Sequence, residues 1–330
     1  MEKKNVKEIA KLAGVSTATI SRVINNNPNV KDSTRQHVLE IVNKYEFKPD
    51  RLAKNLRTKK SYTLLVLIPT VENPYFAEII RGINEKVYNT KYEVIIGTVE
   101  HKRNSMEIFL DLLKTNQIDG AIFVSSSIDK AELLKIKNKK NIVLCNEYVE
   151  GMDISYVCIN NLLASYEATK RLIDSGCKNL CYFAGRKKSI SSEKRKMGFQ
   201  KCLDEYAIAS SSKHVLYGPN SIESGYDSMK KIHESNMKLD GILVNSDLKA
   251  AGVIRYLKEK NIKIGQEVKL ICFDGTFVSE IITPKITTIN QPGYSIGQKS
   301  LELLVNQLQD SDCNIQSIIV EHEIKKGETL

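Results

Sequence analysis

VKEIAKLAGVSTATISRVINNNPNVKDSTRQHVLEIVNKYEF, residues 6–47, reads as three short helices joined by tight turns. Val6, Ile9, Ala10 and Ala13 recur at i, i+3, i+4 and i+7, so they share one face of a first helix that Asn5 is placed to cap. Gly14 supplies a left-handed turn position, and Val15 closes the corner. Ser16 caps a second helix in which Ile20, Val23 and Ile24 point inward, so Thr17, Ala18, Ser21 and Arg22 point outward. That outer face is small, polar and basic, as a helix reading base edges in a major groove requires. Asp32 or Ser33 starts a third helix through Tyr45, where Val38, Ile41, Val42 and Tyr45 close a three-helix core. The alternative reading is a helical bundle whose outer face is simply solvated.

Charge separates the two readings. Residues 1–60 carry 14 Lys and Arg against six Asp and Glu, a surplus of eight in a chain of net charge +10. The other 270 residues are nearly neutral, at +2. A basic excess confined to the helix-turn-helix segment is the footprint of phosphate binding with counterion release. DRLAKNLR, residues 50–57, follows as a second helical element, in which Leu52, Ala53 and Leu56 form one apolar face. A helix of about two turns is unstable alone in water and needs a partner. Lys54 and Arg57 flank Leu56 and can reach phosphate or a groove floor.

A chain of 330 residues is too long for one ordinary core and points to two or three domains. Its 42% hydrophobic and 27% charged residues describe a globular protein with a sizeable interior. MEKKNVKEIA runs straight into a charged amphipathic helix without a signal-peptide stretch, and no apolar run reaches membrane-spanning length, so the expected location is the cytoplasm, with no membrane partner. Cys145, Cys158, Cys177, Cys181, Cys202, Cys272 and Cys313 are odd in number and sit mostly in apolar contexts, the pattern of reduced core thiols. The one close pair, Cys177 and Cys181, lacks the second pair or His cluster of a zinc site.

Beyond the linker TKKSY the pattern changes. Near-continuous apolar runs at 63–69, 92–98, 120–125, 141–146 and 155–159 alternate with helical spacing at 75–89, 104–116 and 129–138, the signature of a parallel sheet covered on both faces. It then begins again, with strands at 179–185, 214–218, 240–245 and 268–274 between helices near 162–175, 193–206, 222–236 and 248–260. A last helix at about 293–309 and the tail IQSIIVEHEI cross back between the halves. The expected fold class is an all-α helix-turn-helix head plus an α/β core of two doubly wound parallel-sheet subdomains around a ligand cleft. Ligands in open α/β sheets sit beyond the carboxyl ends of strands. The loops 69–76, 146–148, 185–195, 245–247 and 274–277 are therefore the ligand candidates.

Enzymatic chemistry has no signature here. There is no GxxxxGK[ST] phosphate loop, no GxGxxG after the first strand and no GxSxG elbow. His37, His101, His214, His233 and His322 are scattered without metal spacing, and Asp247 and Asp274 lack a matched acid–base partner. Binding without turnover, with no cofactor and no metal, is the better reading. The rival is a solute-binding protein or sugar-processing enzyme on the same α/β halves; the first needs an export signal and the second a nucleophile or an acid–base pair.

VKEIAKLAGVSTATISRVINNNPNVKDSTR, RLAKNLR, TLLVLIPTVENPYFAEIIRGI, LICFDGT and TTINQPGYSIG together resemble the lactose-repressor family of bacterial transcriptional regulators, over essentially the whole chain and in the family's order. Within it, the stretch from IIRGI through DLLKTNQIDG to CNEY is similar to the cytidine-responsive repressor. The resemblance implies a helix-turn-helix domain at 1–48, a hinge helix and linker at 49–60, and a periplasmic-binding-protein-like effector and dimerisation core at 61–330. Within that core the N-subdomain spans about 61–159 and 291–317, and the C-subdomain about 160–290 and 318–330. It implies a homodimer whose two heads bind a pseudo-palindromic double-stranded operator. Thr17, Ala18 and Arg22 then hold the base-contacting positions, while Ser16, Thr19, Ser21 and Asn25 position phosphates. Leu56 matches the residue that wedges between base pairs in the minor groove, with Arg57 beside it.

For a small-molecule effector the resemblance points to Tyr75, Phe76, Asn146, Ser189, Ser191, Arg195, Ser246 and Asp274, with Asn160 in a lesser role. Arg195 and Asp274 suit a clamp on vicinal hydroxyls, or alternatively pair with each other. Ser246 stands where many sugar-binding relatives have Asn, Lys249 where they have an apolar residue, and Ser189 where a purine-binding relative has Arg. The chain has no Trp. These departures disfavour a purine base and leave a sugar or nucleoside. Glu302 occupies a region where another branch uses Arg to engage a phosphorylated protein, which argues against that mode.

Overall fold

Asn5 opens the first helix, α1 (Val6–Leu12), through a capping box: its Oδ1 accepts from Lys7 N and Glu8 N, and its own N donates to Glu8 Oε2 at 2.7 Å. Gly14 ends it at φ +61°. Ser16 Oγ then accepts from Thr19 N at 3.1 Å and starts α2 (Thr17–Ile24), and α3 (Asp32–Lys44) follows. Ile9, Ala10, Ala13, Ile20, Val23 and Val38 form the core, with Val15, Ile24, Ile41, Val42 and Tyr45 packed around it. Val6, expected on the inner face, is 39% exposed because it is the first residue of α1 and no neighbouring element covers it. Arg35 bridges to Asn26 Oδ1 at 2.9 Å and to Asn27 O at 2.6 Å, pinning the loop between α2 and α3.

The computed structural model describes residues 4–47, 60–98, 105–124, 130–134, 136, 139–187, 189–209, 212–310 and 312–330. It divides into two units, Met1–Ser61 and Tyr62–Leu330. The hinge positions Lys54, Leu56 and Arg57 lie outside the described residues.

The second unit holds two six-stranded sheets. Along the first half run β1 (Thr63–Ile68), α4 (Pro74–Val87), β2 (Glu93–Thr98), α5 (Ser105–Lys114), β3 (Gly120–Phe123), α6 (Lys130–Leu134), β4 (Ile142–Cys145) and β5 (Ser155–Cys158). The second half has α7 (Asn161–Asp174), β6 (Leu180–Ala184), α8 (Ile190–Glu205), β7 (Val215–Tyr217), α9 (Ile222–Glu234), β8 (Gly241–Val244), α10 (Asp247–Glu259), β9 (Lys269–Asp274), α11 (Phe277–Ile281) and β10 (Thr287–Asn290). Then come α12 (Gly293–Gln309), β11 (Ser317–Ile319) and β12 (Glu323–Lys325).

The first sheet has the order β11-β5-β4-β3-β1-β2 and every pairing in it is parallel. The second, β12-β10-β9-β8-β6-β7, departs from the expected parallel pattern at one edge, where β12 runs antiparallel to β10. The chain therefore passes between the sheets three times: after β5, after β10 and after β11. The last passage comes later than the expected boundary near 317, since Ile318 and Ile319 still pair with Val157 and Cys158 of β5.

Apolar runs such as Leu64–Ile68 are buried because helices cover both faces of a parallel sheet. On the first sheet α12 lies along α4 so closely that a Cβ at Gly297 would stand 2.1 Å from the Ile79 carbonyl oxygen, which only glycine permits. Six of the seven cysteines are buried free thiols and Cys313 is half-buried, as expected of reduced core residues.

Candidate functional site

The carboxyl ends of β1, β4, β6, β8, β9 and β10 carry a set of buried polar side chains far apart in sequence. Asn73, beyond β1, donates to Asp274 Oδ2 at 3.3 Å across 201 residues. On the other Asp274 oxygen, Gln291 Nε2 donates at 2.8 Å. Register explains that contact, since β10 sets Asn290 opposite Asp274 and the next residue is Gln291. Asp274 takes φ +108°, a backbone angle rare outside glycine. Burial, and then the charge of Asp247, raise its pKa to about 7.

Arg195, on the second turn of α8, does not pair with Asp274. Its Nε donates to Asn161 Oδ1 at 2.8 Å and its Nη1 to Asn245 O at 2.9 Å, while the guanidinium lies 3.8 Å from the Phe273 ring centroid. The expected start of α8 near 193 is earlier, at Ile190, because Ser189 is its N-cap and accepts from Ser192 N. Ser191 and Arg195 thereby face the same interior.

Glu147 follows β4 and reaches the other sheet. Its Oε1 accepts from Ser189 Oγ at 3.0 Å, from Ser191 N at 3.2 Å and from Ser191 Oγ. Its Oε2 is sealed from solvent without a partner among the described residues, as is Gln291 Oε1. Burial raises the Glu147 pKa against the Ser191 and Ser189 hydrogen bonds and Arg195, which lower it. Lys194 also pairs with Glu150 from the first sheet's side. Tyr75 is buried and donates to Asn146 Oδ1 at 2.7 Å, with Phe76 tilted against it.

Ser246 is fully buried and its Oγ caps α10 by accepting from Lys249 N at 3.2 Å. Asn160 likewise caps α7, accepting from Leu163 N. Asp247 is saturated by Cys272 Sγ, Thr276 N, Thr276 Oγ1 and Thr288 Oγ1. Lys249 is fully buried, with Nζ donating to Ala184 O and Gly218 O, and burial lowers its pKa to about 7. Among the described residues no cluster of His, Cys, Asp and Glu is placed to hold a metal, and no helix is long and apolar enough to cross a membrane.

In the first unit, Thr17, Ala18, Arg22 and Asn25 are exposed on α2, while Thr19 and Ser21 are half-buried. Ser16 Oγ holds Thr19 Oγ1 at 2.9 Å, and Asn25 Nδ2 donates to Ser21 O at 2.7 Å. Arg22 has no ion pair among the described residues, so its fork of donors is available.

Residues 5–50 match the model of the bacterial regulatory proteins, lacI family, and residues 61–328 match that of the periplasmic binding proteins and sugar-binding domain of the LacI family. The chain belongs to the LacI family of bacterial regulatory proteins. It is 30% identical over 320 residues to catabolite control protein A of Priestia megaterium, covering 96% of each chain. It is 29% identical over 320 residues to the transcriptional repressor CytR of Escherichia coli K12, covering 97% of this chain and 94% of that one. Its fold superposes on the lac repressor dimer bound to operator and the anti-inducer ONPF with TM-score 0.86 at 21% identity, across 99% of both chains.

This LacI-family chain is a DNA-binding transcriptional regulator and not an enzyme. Of its expected cleft residues, the structure brings Tyr75, Asn146, Ser189, Ser191, Arg195 and Asp274 to the strand ends between the sheets. It commits the Ser246 hydroxyl to a helix cap. Sequence reasoning passed over Asn73, Glu147, Asn161, Asn245 and Gln291 as individual site residues. Three of them, Asn73, Glu147 and Asn245, lie in loops flagged by the strand-end rule, Asn161 follows the lesser candidate Asn160, and Gln291 lies in TTINQPGYSIG; what was missing was which side chains turn inward.

Proposed function

We propose that this regulator is a repressor of sugar or nucleoside utilisation genes that works as a homodimer in the cytoplasm and binds a pseudo-palindromic operator under control of a small-molecule effector. The reading is carried by the two bridges across the cleft, Asn73 to Asp274 and Glu147 to Ser189 and Ser191. An occupant that takes these groups as partners alters the contacts joining the two sheets, and so couples ligand to closure. Arg195 and Asp274 hold the effector, with Tyr75, Phe76, Asn146, Ser189 and Ser191 around it.

On DNA, Arg22 reads guanine O6 and N7 together, with Thr17 and Ala18 beside it; Ser16, Thr19, Ser21 and Asn25 position phosphates. Leu56 wedges into the minor groove, Arg57 holds phosphate beside it, and closure of the core is felt at this hinge. The test is binding of the full chain to a duplex that it selects from a random pool, measured across salt concentrations. The expected result is affinity falling steeply with salt, and a loss of roughly 10- to 100-fold in specific binding for Arg22→Ala. A flat salt response, or no enriched duplex, overturns the reading.

A further inference from the structure

The described residues bury five charged side chains: Glu147 just beyond β4, Asp274 at the end of β9, Asp247 and Lys249 in the first turn of α10, and Arg195 in the second turn of α8. Three are acidic and two basic, and no basic one pairs with an acidic one among the described residues. Arg195 is held by the amide oxygens of Asn161 and Asn245, and Lys249 by the carbonyls of Ala184 and Gly218. Asp247 has four donors, and Asp274 is met by the amides of Asn73 and Gln291. Glu147 is the one left half-satisfied, with three donors on Oε1 and none on Oε2.

A buried carboxylate is costly unless paired as well as hydrogen-bonded. The second unpartnered atom here, Gln291 Oε1, is also an acceptor. Among the described buried groups there are therefore two unpartnered acceptors beside Asp274 and Ser191 and, at formal charge, one more acid than bases. Hydroxyls alone fill the first deficit and leave the second. We propose that the effector is a polyhydroxylated molecule bearing a protonated amine, as amino sugars and aminonucleosides do, and that Glu147 Oε2 receives the ammonium while Gln291 Oε1 takes a hydroxyl. This deepens the effector reading above and rests on it. Burial raises the pKa of Glu147, and burial and then Asp247 raise that of Asp274, so each favours a proton whose place a bound cation can take.

The test uses the full chain and calorimetry with matched sets: the triplet glucosamine, glucose and N-acetylglucosamine, the galactose and mannose triplets, and the pair 3′-amino-3′-deoxyadenosine and adenosine. An amine member is expected to bind about 10- to 100-fold tighter than its hydroxy and N-acetyl counterparts, and Glu147→Gln to remove that advantage. The wild-type preference decides the question by itself should Glu147→Gln unfold, which its melting temperature reveals. Equal or better binding of the neutral members, or an amine affinity untouched by Glu147→Gln, overturns the proposal. If neutral members bind and Arg195→Ala abolishes that binding, the effector cleft stands and the amine falls. If no member of any set binds at millimolar concentration, both fall.

Discussion

Asp274 and Lys249 are both buried titratable side chains, and they bias stability in opposite directions. Burial and the neighbouring Asp247 hold Asp274 at about 7, above the ordinary carboxyl value of 3.8. Between those values the folded core keeps a proton that the unfolded chain has released, so stability falls as pH rises through that window; Glu147, also raised, acts in the same sense. Burial lowers Lys249 from 10.5 to about 7, so in that window the unfolded chain holds the proton and stability rises with pH. Urea unfolding at a series of pH values should show a minimum near neutrality. Asp274→Asn should flatten the acid side and Lys249→Met the alkaline side, each by roughly 1–3 kcal/mol. An acid limb unchanged in Asp274→Asn would mean that Asp247 and Glu147 carry it instead.

At the scale of elements, local signals place most of the helices and strands. Asn5, Ser16, Ser189 and Ser246 each accept from the backbone at a helix start, and apolar periodicity marks the faces that are buried. The short strands β10, β11 and β12 and the helix α11 carry too few residues for periodicity to declare them, and only their sheet and helix partners define them. The close approach of α12 to α4 is equally silent in sequence, because Gly297 reads there as a weak helix residue. Gly297→Ala should force the two backbones apart and lower core stability by about 1–3 kcal/mol in urea unfolding. A midpoint unchanged or raised, as helix propensity alone dictates, would show that α4 and α12 yield without cost.

At the scale of the molecule, the chain comprises a small helical unit and a large α/β unit, each with its own hydrophobic core. Calorimetry of the full chain should resolve two transitions, and a fragment 62–330 should reproduce the larger one within about 2 °C while losing operator binding. A single merged transition would show that the two cores unfold as one. The sequence by itself determined the identity of the helix-turn-helix head, the doubly wound halves and the strand-end loops that carry buried polar side chains, because these rest on local periodicity, capping and charge. Tertiary structure alone decided that Arg195 is held by Asn161 and Asn245 rather than by Asp274, that Glu147 bridges to Ser189 and Ser191, and that Gln291 meets Asp274. Those meetings depend on three passages of the chain between two sheets, and no local pattern encodes which distant side chains such passages bring together.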